Sequence, residues 1–305
     1  MKQRLTTLLL TLCLALSLSG CGSSVRKSIS DDSGGNAAQN QTAAETTEAA
    51  TTEAAKSSVT IEENTVLFDQ DGLVVTAKDL TDDPIMGWGI EVLLENSTDK
   101  NLTVQCGSLI VNDYMITDLF SADVAAGKKS NDTIWLSSAG LEAAGIDTIS
   151  DIALTFLALD SDSFTTLFET DEIELKTSAY GTVEQPAMDD GKELVNENGV
   201  RIVGKYVDEN SFWGAGVLLY IENSSGKNVV VQCDNMSING FMVTPYFSST
   251  VNDGRMALDT ITILSSDLEN NGITSVDDIE LTFQILDPDT FQTIFETGPV
   301  EFSTK

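Results

Sequence analysis

The chain has 305 residues, with 16 Lys and Arg, 48 Asp and Glu, no His and a formal net charge of −32 at pH 7. This excess of negative charge repels phosphate groups, so the composition predicts no binding to nucleic acid. The absence of His excludes the commonest general base, the commonest zinc ligand and the Ser-His and Cys-His catalytic pairs, so we expect no enzymatic activity.

The first 20 residues have the pattern of a secretory signal. A basic start with Lys2 and Arg4 precedes an apolar run over 5–18, which is too short to span a membrane. The run ends in Leu-Ser-Gly before Cys21, the pattern at which bacterial lipoproteins are cleaved. We therefore predict a signal peptide over 1–20, acylation (palmitate included) at Cys21, and a lipid-anchored protein on the extracellular face of the cell membrane. The alternative is an ordinary signal peptide in which Cys21 happens to lie near the cleavage site.

Residues 21–58 follow as a segment rich in Ser, Thr, Ala and Glu, with very few large apolar side chains. Such a composition cannot bury enough apolar surface to offset the entropy lost on ordering. We predict a disordered tether that holds the rest of the chain away from the lipid.

The remainder of the chain is a duplication with a spacing of 127 residues. Glu95-Asn96-Ser97 recurs as Glu222-Asn223-Ser224, and Val104-Gln105-Cys106 recurs as Val231-Gln232-Cys233. The period is too long for a solenoid repeat and suits two copies of one domain. We predict repeat 1 over 59–177, a linker over 178–191 and repeat 2 over 192–305.

Within each repeat the apolar residues alternate with polar ones, which is typical of strands with one buried face. Ile90, Val92 and Leu94 form one such face, and Ile152, Leu154 and Phe156 form another. Turn residues separate the runs, and a single helical turn is predicted over 138–145 and again over 265–272. The fold class predicted from this pattern is all-β, with two tandem antiparallel β-sandwich domains after the tether.

Two motifs carry a resemblance to a known group of proteins. The segment Glu91–Val104 contains an Asn-Ser-Thr-Asp-Lys turn between two strands, and Gly127-Lys128-Lys129 precedes another strand. This part of the chain resembles the immunoglobulin-like β-sandwich modules of lipoproteins secreted by Gram-positive-type bacteria. The resemblance implies an immunoglobulin-like sandwich for each repeat, and it implies no catalytic residue, because these modules are mostly uncharacterised.

Four acidic residues form the one candidate metal site, with calcium as the candidate cofactor. They are arranged as Asp-x-Asp after a predicted core strand of each repeat, at Asp160, Asp162, Asp287 and Asp289. Calcium takes six to eight oxygen ligands, but the spacing lacks the glycine and the closing glutamate of an EF-hand. Aspartate also favours turns by accepting hydrogen bonds from its own backbone, and this second interpretation predicts that no metal is bound.

Cys106 and Cys233 occupy equivalent positions in the two repeats, and we expect buried free thiols that behave as small apolar side chains. A disulfide between the repeats is the alternative. Trp88 and Trp213 lie near strand starts, and Trp135 is predicted to point away from the core. Because the equivalents of Trp88 and Trp135 are Ala215 and Thr262, we expect packing roles for them.

These features together predict a lipid-anchored binding or spacer protein of the cell surface with a protein or cell-wall glycan as partner. The membrane would be contacted through the N-terminal lipid. The alternative is a solute- or calcium-binding extracellular lipoprotein, and a hydrolase is the least favoured interpretation.

Overall fold

The computed structural model describes residues 26–29, 59–185, 188, 190 and 191–304. The predicted signal peptide, Cys21 and most of the predicted tether lie outside these residues. The regular secondary structure of the described chain is almost entirely β-strand, as predicted, with two helices of six residues each. No helix within the described ranges is both long enough and apolar enough to cross a membrane.

The elements begin with a three-residue strand, β1, at Arg26–Ser28. Repeat 1 then contributes ten strands and one helix. They are β2 Thr65–Gln70, β3 Leu73–Asp83, β4 Gly87–Asn96, β5 Leu102–Val111, β6 Tyr114–Met115, β7 Ser121–Val124, β8 Lys129–Trp135, α1 Ser138–Ala143, β9 Asp151–Asp160, β10 Thr165–Glu169 and β11 Ile173–Lys176.

Repeat 2 has a closely matching order with eleven strands and one helix. They are β12 Lys192–Glu197, β13 Val200–Ser211, β14 Gly214–Asn223, β15 Val229–Ile238, β16 Phe241–Met242, β17 Pro245–Tyr246, β18 Ser248–Val251, β19 Met256–Leu264, α2 Ser265–Asn270, β20 Asp278–Leu286, β21 Thr293–Glu296 and β22 Val300–Ser303. The longest strands begin 127 residues apart, as the sequence repeat requires.

Each repeat is a sandwich of two sheets. In repeat 1 the sheet β2-β3-β4-β8 packs against a second sheet in which β5 pairs with β6, β7 and β9, and β9 pairs with β10 and β11. The alternating side chains predicted from sequence fill the space between the sheets: Ile90, Leu94, Leu154 and Phe156 are fully buried in one cluster. This is the architecture of immunoglobulin-like domains, although the first three strands of each repeat follow one another within a single sheet.

The two repeats are joined by one strand pair. β6 of repeat 1 lies parallel to the start of β19 in repeat 2, with Tyr114 opposite Met256, and this merges one sheet of each repeat into a 12-stranded sheet. Tyr114 is fully buried and its ring lies 6.4 Å from that of Tyr220. Arg255 of repeat 2 forms ion pairs with Asp113 and Glu172 of repeat 1. β6 runs antiparallel to β5 and parallel to β19, so the first residues of β19 lie beside the last residues of β5 and run antiparallel to them.

β1 departs from the prediction for the tether. Within the segment predicted to be disordered, Arg26–Ser28 pairs antiparallel with β13 of repeat 2, and Ile29 is buried in the core of that repeat. β1 continues the edge that β12 begins, because β12 pairs with 200–204 of β13 and β1 pairs with 206–208. A segment close to the predicted lipidation site therefore belongs to the second sandwich.

Candidate functional site

The predicted Asp-x-Asp motifs form tight turns at the ends of β9 and β20. The Asp160 carboxylate accepts hydrogen bonds from the backbone N–H groups of Asp162 and Ser163 at 3.1 Å each, and Lys100 Nζ lies 3.1 Å from its other oxygen. The hydrogen bond from Lys100, followed by those backbone bonds, holds the pKa of Asp160 below its ordinary value.

The equivalent turn in repeat 2 is built in the same way. The Asp287 carboxylate accepts hydrogen bonds from the Thr290 hydroxyl at 2.8 Å, from the Thr290 N–H at 2.9 Å and from the Asp289 N–H at 3.2 Å. The Thr290 bonds lower the pKa of Asp287. Asp162 and Asp289 point outward and are exposed. The backbone hydrogen bonds to Asp160 and Asp287 favour the turn interpretation. In the described part of the chain no three Cys, Asp or Glu side chains are grouped to hold a metal ion, and calcium binding stays a prediction.

Each of these turns presents an exposed phenylalanine. The N–H of Phe164 donates to the carbonyl of Asp160, and the N–H of Phe291 donates to the carbonyl of Asp287, both at 2.8 Å. The two rings are 71% and 65% exposed. Both residues have positive φ, 53° and 54°, a left-handed backbone conformation that is rare for a bulky side chain. We call this pair the phenylalanine turns.

The recurrence of the phenylalanine turns is informative. An exposed aromatic ring on a costly backbone conformation contributes little to the core, and strain of this kind concentrates at functional sites. Both repeats preserve the ring, the backbone angle and the aspartate that shapes the turn. The sequence showed Phe164 and Phe291 as an identity at the 127-residue spacing, but only the backbone angles distinguish them from ordinary turn residues.

The two cysteines are free, as expected, but they are only partly buried. The strand alternation that would bury Cys106 is interrupted at Gly107, where the pairing of β5 with β9 shifts register. The Cys106 thiol donates to the Ser108 carbonyl at 3.2 Å. Desolvation raises the pKa of Cys106 well above its ordinary value, with the nearby Asp118 carboxyl adding to the effect, and desolvation raises the pKa of Cys233 to about 12.

The three tryptophans have different environments. Trp88 packs against the core of repeat 1, in keeping with the expected packing role. Trp135 lies on the outer face, where its ring covers the position at which Gly89 lacks a side chain. Trp213 is 53% exposed and meets the ring of Phe212, itself 73% exposed, edge to face with centroids 4.9 Å apart.

A polar cleft lies between the repeats. It has a volume of about 380 Å³ and is lined by 106–109 and 115–118 of repeat 1 and by 248–250 and 257–259 of repeat 2. Asp118 from the first repeat and Asp259 from the second both line it, and no Lys or Arg does.

Burial gives the cleft its electrostatic character. Desolvation raises the pKa of Asp118 and of Asp259 above the ordinary value, although each still accepts a backbone hydrogen bond, from Phe120 and Thr260 respectively. Asp259 has an equivalent in repeat 1, Asp132, which is exposed because no second repeat covers it. Sequence analysis missed this site, since nothing in the sequence shows which repeat edge is covered.

Comparisons with known proteins were made against families, curated sequences and solved structures. No protein-family model and no curated protein sequence matches the chain. Among solved structures, the YadV chaperone is similar at 14% identity over 75% of this chain and 99% of the chaperone, with a TM-score of 0.24.

The Salmonella enterica SafA pilin in complex with the SafB chaperone is similar at 14% identity, with 70% and 88% coverage of this chain and that chain and a TM-score of 0.21. The exo-chitosanase CsxA of Amycolatopsis orientalis is similar at 16% identity over 67% of this chain and 25% of the enzyme, with a TM-score of 0.23. At these scores the matches carry no argument about function.

Proposed function

We propose that the protein is an exported, lipid-anchored, non-catalytic binding protein of the cell surface, and that the phenylalanine turns bind a polymer with repeated units, a cell-wall glycan. The observation that carries the proposal is the recurrence of an exposed Phe at positive φ in both repeats. The predicted lipidation at Cys21 supports the location.

The strand pair between the repeats sets the spacing of the two turns. Each turn lies at the equivalent end of its own repeat, after β9 in repeat 1 and after β20 in repeat 2. Two weak sites at a fixed spacing bind a repetitive ligand by avidity, since the second contact forms within the complex made by the first. Aromatic faces offer sugars a large apolar surface at a small entropy cost.

Sedimentation with insoluble peptidoglycan tests the proposal, with the mature protein compared with Phe164→Ser, Phe291→Ser and the double variant. We expect each single variant to lose about tenfold in affinity and the double variant to lose binding, as avidity predicts. The matched control is Leu119→Ser with Tyr246→Ser, an equivalent exposed pair outside the turns. Unchanged sedimentation of the double variant, or equal loss in the control, contradicts the proposal.

The polar cleft supports a second candidate function, the capture of a small organic cation. Two desolvated carboxyl groups without a basic neighbour are stabilised in their charged form by an ammonium group. Calorimetric titration with the diamine putrescine is the test. Affinity should rise with pH as Asp118 and Asp259 ionise, and it should fall in Asp259→Asn but not in Asp132→Asn. Absence of binding at pH 8 removes this candidate.

A further inference from the structure

We propose that the bilayer is contacted by repeat 2, through the tip formed by Phe212 and Trp213, and that β1 holds the lipid-bearing end of the chain at this tip. The inference rests on the proposed function in one respect, the acylation of Cys21. It reverses the order that the sequence suggests, in which repeat 1 follows the tether and would lie nearest the membrane.

The direction and register of β1 place the lipid near the tip. Arg26 lies opposite Asp208, and the strands are antiparallel, so the chain upstream of Arg26 is on the side of β13 that leads to Phe212. Cys21 precedes Arg26 by five residues, which span at most about 18 Å. Phe212 follows Asp208 by four residues, or roughly 13 Å of strand. The acyl chains and the tip are therefore within reach of the same membrane surface.

β1 is fixed to repeat 2 by specific contacts. Lys27 Nζ lies 2.9 Å from Glu209 and 3.4 Å from Asp277, and the Arg26 guanidinium lies 4.8 Å from the centre of the Tyr206 ring. The side chain of Ile29 is 1% exposed and packs over Gly204, where an added Cβ would come within 3.2 Å of it.

Repeat 1 offers β1 a less favourable site. The positions equivalent to Gly204, Tyr206 and Asp277 are Ala77, Asp79 and Ser150, whereas the equivalent of Glu209 is Asp82, which keeps a carboxylate. The methyl group of Ala77 would crowd Ile29, Asp79 provides no aromatic ring, and Ser150 provides no charge. β1 is therefore matched to repeat 2, although 30–58 would allow it to reach either repeat.

The tip has the chemistry of a membrane-interface contact. Phe212 and Trp213 form a hairpin end between β13 and β14, beside the end of β19 opposite to the one that pairs with β6. Trp is enriched at membrane interfaces because its ring is apolar and its N–H is polar. Glu209, three residues before Phe212, forms an ion pair with Lys27. The chain has a formal net charge of −32, so anionic headgroups repel it. Attachment therefore comes from apolar insertion next to the lipid anchor.

The test uses the acylated mature protein in vesicles of phosphatidylcholine that contain brominated acyl chains, which quench nearby tryptophan. Three Trp residues contribute to the emission. We expect about a third of the emission to be quenched in the wild type and this quenching to be lost in Trp213→Phe. The matched control is a bromine-free vesicle of the same lipid. Ile29→Asp, which releases β1, should remain with the vesicles on flotation but lose the quenching.

A second measurement does not depend on native tryptophans. An environment-sensitive fluorophore is attached at Phe212→Cys or at the equivalent Ile85→Cys of repeat 1, with the unsubstituted protein giving the background from Cys106 and Cys233. We expect a blue shift and lipid quenching at 212 only. Quenching at 85 only, or at neither position in protein that floats with the vesicles, overturns the inference. Protein that does not float at all instead refutes the lipid anchoring in the proposed function.

Discussion

At the scale of single residues, equivalent positions in the two repeats show how the environment changes an identical side chain. Asp132 and Asp259 occupy equivalent positions in β8 and β19, and each is followed by Thr and Ile. Asp132 is exposed, whereas Asp259 is covered by repeat 1 and its carboxyl has a raised pKa. Asp132 is therefore the control for the free energy that desolvation of the Asp259 carboxylate takes from folding.

Asp259→Asn should stabilise the protein at neutral pH. A raised pKa in the folded state means that the carboxyl favours folding while it is protonated, below the pKa of the unfolded chain, and that this contribution is lost as the pH rises through the raised pKa. Asn keeps the hydrogen-bond acceptor for Thr260 but carries no charge. Thermal melts should show a higher Tm than wild type at pH 7 and a smaller difference near pH 3.5.

Asp132→Asn is the control for this experiment. Its melting curve should follow that of the wild type at both pH values, since the side chain is already solvated. Equal gains in both variants would show that overall negative charge, and not desolvation at Asp259, limits stability.

The thiols provide a second prediction at this scale. With the pKa of Cys233 raised from 9.0 to about 12, its thiolate fraction at pH 8 falls by about 1,000-fold, and the thiolate is the reactive form. Ellman's reagent should react slowly with Cys106 and Cys233 in the native acylated protein and rapidly with both in denaturant. A thiol that reacts quickly in the native state would show that its strand opens.

At the scale of elements, the periodic strands could be predicted from sequence and the irregular positions could not. Ile90, Val92 and Leu94 alternate with polar residues, and the structure buries all three. Cys106 departs from the alternation at a bulge, where Gly107 has no partner in β9. The hydrophobic pattern of the sequence does not show this bulge. The helical turn predicted over 138–145 is confirmed as α1, with the Ser137 side chain accepting from the Gly140 N–H.

β1 illustrates the limit more clearly. Four residues within a polar, low-complexity stretch carry no periodicity, and their partner strand lies some 180 residues away. The pairing is decided by the unoccupied edge of β13 beyond β12 and by the gap over Gly204, which are properties of the folded repeat. Sequence analysis missed the phenylalanine turns for a related reason: neither Phe nor the residues beside it indicate a positive φ.

Ile29→Asp tests β1 as an element. Burying a carboxylate in the core of repeat 2 is unfavourable, so β1 should detach. The loss in global stability is limited to the free energy with which β1 docks, about 1–3 kcal/mol for one buried side chain and its strand bonds. Hydrogen exchange should accelerate at Val207 of β13, whose N–H faces β1, and remain slow in β3, the equivalent strand of repeat 1. Protection that persists in β13 would show that β1 is not needed there.

At the scale of the whole molecule, the contact between the repeats is of the head-to-tail kind. β6 of repeat 1 meets β19 of repeat 2, but the equivalents of these two surfaces, β16 of repeat 2 and β8 of repeat 1, meet no other repeat among the described residues. Phe241 and Met242 of β16 are 49% and 63% exposed, whereas Tyr114, the equivalent of Phe241, is fully buried. A head-to-tail contact that does not close can propagate into a fibre.

The β8 edge of repeat 1 carries residues that oppose such propagation. Lys129 and Asn131 stand where β19 has Met256 and Leu258, which pack against repeat 1. Charged and polar side chains on an exposed edge disfavour pairing with a second chain. The chain thus keeps one apolar edge for the contact between its own repeats and a polar edge where a second molecule could add.

We therefore expect the wild-type protein to be monomeric and the double variant Lys129→Met with Asn131→Leu to associate. The two substitutions recreate the β19 surface on repeat 1, so that β16 of another molecule can dock there as β6 docks on β19. Sedimentation velocity at increasing concentration should show oligomers that grow without a fixed size, because each added molecule exposes a new β16. Adding Phe241→Ser should restore the monomer by removing the side chain that takes the place of Tyr114. Association that survives Phe241→Ser would mean that the new edge pairs with something other than β16, and the head-to-tail geometry would then not explain why the two repeats differ at these positions.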